Sequence, residues 1–296
     1  MLKHISSAIA AAAAGTLICT MPSFAQVTYS QDSVTDGEGR VTNGVSAFEL
    51  FGTGYVQDGN HLIVGISSKL PLGGEPFNNV LNDTVAWGDM FFNFSPNDDF
   101  DTALGNGDVY GVRFAENNDS SVDVGLYKVD ATKTESGQNQ GFASLQSYRN
   151  AARDATLGNV FDLEDGSVLN NGTNYSNFTY LPKTGANRSS TQSLIAEGDF
   201  LNEVEVLDAS ALTSYGFDFA SNLDQRDIPN AKSYGFKFDI SNLPGGSFIA
   251  HLWAECFNEG TVFEGEVASV PEPTSALALA IVGAVAWTRQ RKANKT

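Results

Sequence analysis

Sulfur and imidazole are scarce in this chain. Among 296 residues there are two cysteines and three histidines, and one of each, Cys19 and His4, falls within the first 25. Without that segment Cys256 stands alone and no intramolecular disulfide can form, so stability must come from a packed core or from bound ions. His61, His251 and Cys256 match no common zinc spacing. No Gly-x-Ser-x-Gly elbow presents a serine to either histidine, which removes the usual hydrolase triad. Positive charge is scarce as well: 17 Lys and Arg stand against 35 Asp and Glu, a formal net charge of −18. Five of the basic residues (Lys3, Arg289, Arg291, Lys292, Lys295) sit at the ends, leaving residues 26–268 with 34 acidic and 12 basic side chains, a net of −22. A surface of that sign repels nucleic-acid phosphates and anionic lipid and attracts divalent cations. With 42% hydrophobic residues the chain still has material for one large core.

What is present is most legible at the two ends. Lys3, the apolar stretch from Ile5 to Ile18, and Ser23-Phe24-Ala25 have the three-part form of a secretory signal peptide. Signal peptidase would cut between Ala25 and Gln26. A lipoprotein signal through Cys19 would want a small residue where Ile18 stands. At the far end, Val270-Pro271-Glu272-Pro273 is followed by 15 uncharged residues, Thr274 to Thr288, and then by Arg289, Arg291 and Lys292. The stretch is shorter than the roughly 20 residues of a comfortable transmembrane helix, yet long enough for a short one in a thin bilayer. The prolines keep the segment before it extended, and the basic end stays cytoplasmic, which puts residues 26–268 outside.

This ending resembles the PEP-CTERM sorting signal: a Pro-Glu-Pro motif, an apolar helix and an Arg-rich tail. The resemblance implies processing near Pro273 by exosortase, a membrane protease of Gram-negative bacteria. It also implies an inner-membrane stage followed by delivery to the cell surface or extracellular matrix, alongside exopolysaccharide. A permanently anchored single-pass protein is the competing reading of the same residues.

Between the ends the pattern is that of a β protein. Val109-Tyr110-Gly111-Val112-Arg113-Phe114, Val122 to Val129 and Val204-Glu205-Val206-Leu207 alternate, and Gly, Asn and Asp clusters such as Gly105-Asn106-Gly107-Asp108 separate them. Phe142, Leu145, Tyr148, Ala152 and Leu157 recur at helical intervals between Gly141 and Gly158, which predicts one short helix. "SYGFDFAS" from Ser214 and "SYGFKFDIS" from Ser233 echo one another and predict two neighbouring strands with their aromatics inward. The expectation is a mainly β fold, a jelly-roll-like β-sandwich with one short helix. It forms a single exported domain (26–268) between the signal peptide (1–25) and the sorting signal (269–296). "AWGDMFFNFSPNDDFDTALGNGDVYGVRFAENNDS", "GFASLQSY" and "LPGGSFIAHLWAECFNEG" also resemble an uncharacterised family of exosortase-dependent surface proteins. Its pattern has Cys-Gly-Asn-Asp where this chain has Cys256-Phe257-Asn258-Glu259.

The candidate chemistry is thin. His251 alternates with its neighbours as a packed strand residue would, His61 follows Gly59-Asn60 as a turn residue, and Cys256 reads as a buried thiol. The odd spacing from His251 sends the Cys256 side chain to the opposite face of a strand, so the two do not pair as base and nucleophile. The acidic loop "SPNDDFDTALGNGDVYG" is the candidate metal site, with Asp98, Asp99, Asp101, Asn106 and Asp108 as oxygen donors for calcium. It does not follow the EF-hand spacing. Trp87 and Trp253 are read first as core, with sugar stacking as the alternative. No catalytic residue is assigned. The expected role is structural or adhesive, in contact with exopolysaccharide, and a secreted polysaccharide-active enzyme on the same fold is the rival.

Overall fold

The computed structural model describes residues 26–34, 36–42, 45–144, 147–148, 151–152, 180–181, 192–223 and 230–268. Ala25 and the sorting residues Val270, Pro271, Glu272, Pro273, Arg289, Arg291 and Lys292 lie outside the described residues. So do Leu145 and Leu157 of the expected helix. Of that stretch, residues 147, 148 and 151 are helical, and Tyr148 and Ala152 are buried.

The protein is mainly β, and every strand pairing is antiparallel. The strands are β1 (Thr28–Gln31), β2 (Val41–Thr42), β3 (Val45–Ser46), β4 (Leu50–Asp58), β5 (His61–Ser68), β6 (Glu75–Pro76), β7 (Thr84–Val85), β8 (Met90–Asn93), β9 (Val109–Arg113), β10 (Gly125–Lys133), β11 (Leu194–Asn202), β12 (Val204–Asp208), β13 (Lys232–Asp239), β14 (Gly246–Trp253) and β15 (Gly260–Val267). Three short α-helices that lie wholly among the described residues interrupt them: α1 (Phe100–Asn106), α2 (Ala209–Ser214) and α3 (Phe219–Asn222). One sheet runs β1-β4-β5-β13-β12 and the other β11-β10-β9-β8-β14-β15. Two small hairpins, β2-β3 and β6-β7, stand apart from them.

Period-two alternation gives each sheet a face that points at the other. Leu62, Val64 and Ile66 of β5 and Tyr234, Phe236 and Phe238 of β13 share one buried cluster with Met90, Phe92, Val112, Leu126, Phe248 and Leu252 of the six-stranded sheet. Rings meet across it: Phe114 stacks on Phe236 with centroids 4.8 Å apart, and Phe92 lies 5.8 Å from Phe238. Both outer faces are covered as well. On the six-stranded sheet Phe91, Val109, Tyr127, Val129, Ile249 and Trp253 pack under Phe100 and Ala103 of α1 and under Tyr148 and Tyr180. On the other, Val56 and Ile63 pack under Leu212, Phe217, Phe219 and Leu223. The Phe217 ring lies over Gly65, where a Cβ would sit 2.7 Å from it, so close approach requires glycine there.

The sequence echo is half a pair of strands. Its second copy is β13, with the aromatics inward as expected and Lys237 turned out to Glu205 at 2.6 Å. The first copy is not a strand: Ser214 ends α2, Gly216 turns the chain at φ +90°, and Phe219 opens α3. Two N-caps decide this. Asp208 accepts from the Ala211 amide at 2.8 Å and Asp218 from the Ser221 amide at 3.1 Å, and this local hydrogen bonding starts helical turns where alternation alone predicts a strand.

Candidate functional site

Three separate stretches meet at one end of the two sheets. The first leaves β1: the Asp32 amide donates to the Phe51 carbonyl at 3.1 Å, and the chain runs through Ser33, Asp36 and Gly37 to Glu38, whose amide donates to Asn258 O at 2.8 Å. The second returns from the β2-β3 hairpin to Glu49, whose carbonyl accepts from the Lys69 amide at 2.8 Å. The third is the β14-β15 connection, closed by the Ala254 amide donating to Glu259 O at 2.8 Å.

These turns bring four carboxylates into the interior. Asp32 and Glu259 are 0% exposed, and Asp36 and Glu49 are 1% exposed. Ligand-type oxygens of Asp32, Asp36 and Glu259 all lie within 4.8 Å of one another. Glu49 joins through Gly37: a Cβ on that glycine would be 2.6 Å from Glu259 Oε2 and 2.8 Å from Glu49 Oε2. A hydrogen at position 37 is what leaves room for both acids.

Hydrogen bonding to the cluster is sparse. The Tyr148 hydroxyl donates to Asp36 Oδ2 at 3.0 Å, and the Gly260 amide donates to Glu259 Oε1 at 2.7 Å. Among the described residues, both oxygens of Asp32, both of Glu49, Asp36 Oδ1 and Glu259 Oε2 accept none, and the Thr261 hydroxyl beside Asp32 makes none. Burial raises every one of these acids. Asp32 and Glu259 are held well above the usual carboxylate range, first by loss of water and then by the charge of Asp36. Loss of water lifts Asp36 to about 7, opposed by the Tyr148 hydroxyl, and Glu49 to about 9, reinforced by Asp36. The Thr261 hydroxyl and Ser33 amide temper Asp32, and the Gly37 and Ser46 amides temper Glu49, without forming well-directed hydrogen bonds. The charge of Lys69 pulls Glu49 down, against the loss of water and the charge of Asp36 that raise it.

Two other buried acids show how this fold satisfies a carboxylate that serves structure alone. Asp89 accepts from Asn118 Nδ2 at 2.9 Å, Ser120 Oγ at 2.5 Å and the Ile195 amide at 2.6 Å. Glu255 accepts from the Ala86 amide at 2.7 Å and the Asp119 amide at 2.9 Å. Burial raises them to about 6 and about 8, but each has its oxygens engaged. The four-acid cluster lacks that provision.

The residues singled out from sequence lie elsewhere in the fold. The 98–108 stretch is α1 and its flanks. Asp99 caps the helix, accepting from the Thr102 amide at 2.9 Å, and Asp101 accepts from Gln192 Nε2 at 2.5 Å. Asp108 accepts from Ser95 Oγ at 2.6 Å, Asp98 turns the chain through its backbone, and Asn106 is the last helical residue before the left-handed Gly107. Among the described residues the convergence of three possible ligands falls at Asp32, Asp36 and Glu259 and not on this stretch.

His251 is 0% exposed, stacked on Phe91 with centroids 5.0 Å apart. Its Nδ1 is 2.9 Å from the Tyr180 hydroxyl and its Nε2 is 3.3 Å from Gln192 O. Burial lowers it to about 3, so the ring is neutral, with Nε2–H donating to the carbonyl and Nδ1 accepting from Tyr180. Cys256 is buried in the core between the sheets, away from His251, and burial pushes its thiol up to about 12. Trp87 and Trp253 are both 0% exposed, so neither presents a ring to a sugar. His61 is the exposed first residue of β5, after the Gly59-Asn60 turn. An open polar groove of about 450 Å³ lies elsewhere, lined by Asn82, Thr84, Arg113, Glu116, Asn117 and Asn118.

Compared with family models, curated proteins and solved structures, the chain matches none.

Proposed function

We propose that this is an exported protein, anchored transiently by its C-terminal apolar helix, released by exosortase near Pro273, and deployed at the cell surface or in the extracellular matrix in a structural or adhesive role. The observation that carries this reading is the pairing of an N-terminal signal-peptide pattern with Val270-Pro271-Glu272-Pro273, an apolar stretch and a basic end. The fold supports it from the inside. The strand framework runs from Thr28 to Val267, and Gln57 holds Ala268, accepting from its amide at 2.8 Å and donating to its carbonyl at 3.3 Å. The packed body is therefore pinned two residues before Val270, close to where a processing enzyme would cut.

The two facing sheets and their shared core support a jelly-roll-like sandwich as the finer architecture. Contact with exopolysaccharide finds support in the groove around the exposed Asn82, Glu116 and Asn117, because side-chain amides and carboxylates are groups that hydrogen-bond sugar hydroxyls. Its lining carries no aromatic platform, so the interaction is a polar one.

Intact mass and cell fractionation, in a host strain with and without its exosortase, test the reading. The expected product begins at Gln26, ends near Pro273 and leaves the inner membrane only when the protease is present. An uncut chain that stays in the inner membrane in both strains overturns it in favour of a permanent anchor. The polymer contact is tested on the host's own polysaccharide: retention that drops for Asn117→Ala is expected, absence of retention refutes an adhesive role, and release of reducing ends would establish the enzyme reading instead.

A further inference from the structure

We propose that Asp32, Asp36 and Glu259, with Glu49 beside them and the Thr261 hydroxyl as a neutral donor, hold a calcium ion that clasps the exit of β1 and the approach to β4 onto the β14-β15 turn. The inference is independent of export or processing. It rests on a mismatch within the protein: Asp89 and Glu255 are surrounded by directed donors, whereas six buried carboxylate oxygens of the cluster accept nothing from the described residues. A buried polar group without a partner is a costly arrangement that a fold does not keep without compensation, and four such acids in one place call for a cation. The second observation is Thr261: its hydroxyl is 1% exposed, makes no hydrogen bond, and stands against Asp32, as a neutral ligand in an oxygen shell would.

The donor set selects the ion. All the ligating atoms are oxygens, which favours a hard cation over zinc or copper, and Cys256 packs in the inter-sheet core. Calcium binds oxygens at about 2.3–2.6 Å, so opposite ligands are about 5 Å apart, whereas magnesium at about 2.0–2.1 Å draws them to about 4 Å. Ligand oxygens of Asp32, Asp36 and Glu259 lie within 4.8 Å of one another, close enough to share one ion, and the choice of calcium rests on the number of protein oxygens, because magnesium keeps several of its waters and takes only one or two carboxylates. Four carboxylates can supply the six to eight oxygens calcium takes, some of them bidentate. The ion would join segments about 220 residues apart in sequence, the kind of link a disulfide supplies in other exported proteins and Cys256 alone cannot.

The test begins with the full chain stripped by chelator, titrated with calcium alone at pH 8, with magnesium as the comparison and metal content measured on the loaded protein. One calcium per chain is expected, bound at least tenfold tighter than magnesium. Terbium should compete for the same site. Its luminescence should be excited through protein aromatics, because Tyr148 touches Asp36 and sits edge-on to Trp253 with centroids 5.3 Å apart. Asp32→Asn and Glu259→Gln should each weaken calcium binding at least a hundredfold, while Asp99→Asn in α1 leaves it unchanged. The unmodified chain keeps the proposal falsifiable if a variant does not fold: absence of stoichiometric calcium and of sensitised terbium emission overturns it. Undiminished binding in a folded Asp32→Asn, Glu259→Gln double variant overturns it as well, and loss of binding in Asp99→Asn would move the site to the α1 stretch.

Discussion

Gly37→Ala separates the metal clasp from ordinary packing. The new methyl would meet Glu259 Oε2 at 2.6 Å, Glu49 Oε2 at 2.8 Å and Ser46 Cβ at 3.0 Å. Restoring ordinary contact needs both carboxylates to retreat by roughly half an ångström or more, beyond the ~0.3 Å spread that calcium–oxygen distances tolerate. Gly37 is not among the residues at positive φ, so alanine adds no backbone strain and narrows the unfolded ensemble, a gain of about 0.4–1 kcal/mol. Overpacking opposes it by about 1–3 kcal/mol. The net loss for the calcium-free protein is about 1 kcal/mol, or a Tm lower by about 2–4 °C for a domain of this size. In calcium the difference should widen. At a concentration about 100 times Kd the unmodified protein gains about 2.7 kcal/mol, and a variant whose affinity has fallen a hundredfold gains about 0.4 kcal/mol. Thermal unfolding in chelator and in calcium measures both numbers. A variant whose calcium-induced rise in Tm equals that of the unmodified protein would refute the placement of Glu259 and Glu49 around the ion.

Three further outcomes follow from the buried groups. Glu255, raised to about 8 by burial, keeps its proton in the native state over a range where the unfolded chain has released it. Its contribution is full below about pH 4.5 and is lost as pH rises to about 8, so Glu255→Gln should flatten the fall in stability over that window, by up to about 5 kcal/mol, in denaturant titrations at a series of pH values. His251, lowered to about 3, works in the opposite sense: stability present above about pH 6.5 is lost as pH falls toward 3. His251→Gln should therefore lessen acid sensitivity relative to the unmodified chain, and an unchanged acid limb would show that His251 is not buried neutral. Phe257→Gly removes a left-handed backbone at φ +58°, relieving about 1–2 kcal/mol, but also a ring stacked 4.0 Å from Trp253 whose loss costs about 3–5 kcal/mol. Chemical denaturation should find the variant less stable by about 1–4 kcal/mol, and a neutral result would mean that the stack contributes little.

At Phe257 the chain holds a left-handed backbone with a side chain that covers Trp253, and two residues on, Glu259 turns its carboxylate into the buried cluster.

Local sequence determined what depends on local physics. Alternation marked β9, β12 and β13, and the same strict period put Tyr234, Phe236 and Phe238 between the sheets. The burial of Trp87, Trp253, His251 and Cys256 was legible from composition and spacing, because large apolar groups in alternating strands leave water. Local reading failed where a short polar side chain could choose between partners. Asp99, Asp208 and Asp218 cap helices, and that placed α1 where a loop was expected and α2 and α3 where a strand was expected. The carboxylate cluster had one faint trace in sequence, the acidic, glycine-bearing run Asp32-Ser33-Val34-Thr35-Asp36-Gly37. Its other members, Glu49 and Glu259, belong to the approach to β4 and the turn before β15, and no local pattern relates those positions. The pairing of β1 with β4 sets Asp32 beside the approach to β4, and the Glu38 amide bond to the Asn258 carbonyl joins that edge to the β14-β15 turn of the other sheet; which charges lose their water together is a property of packing.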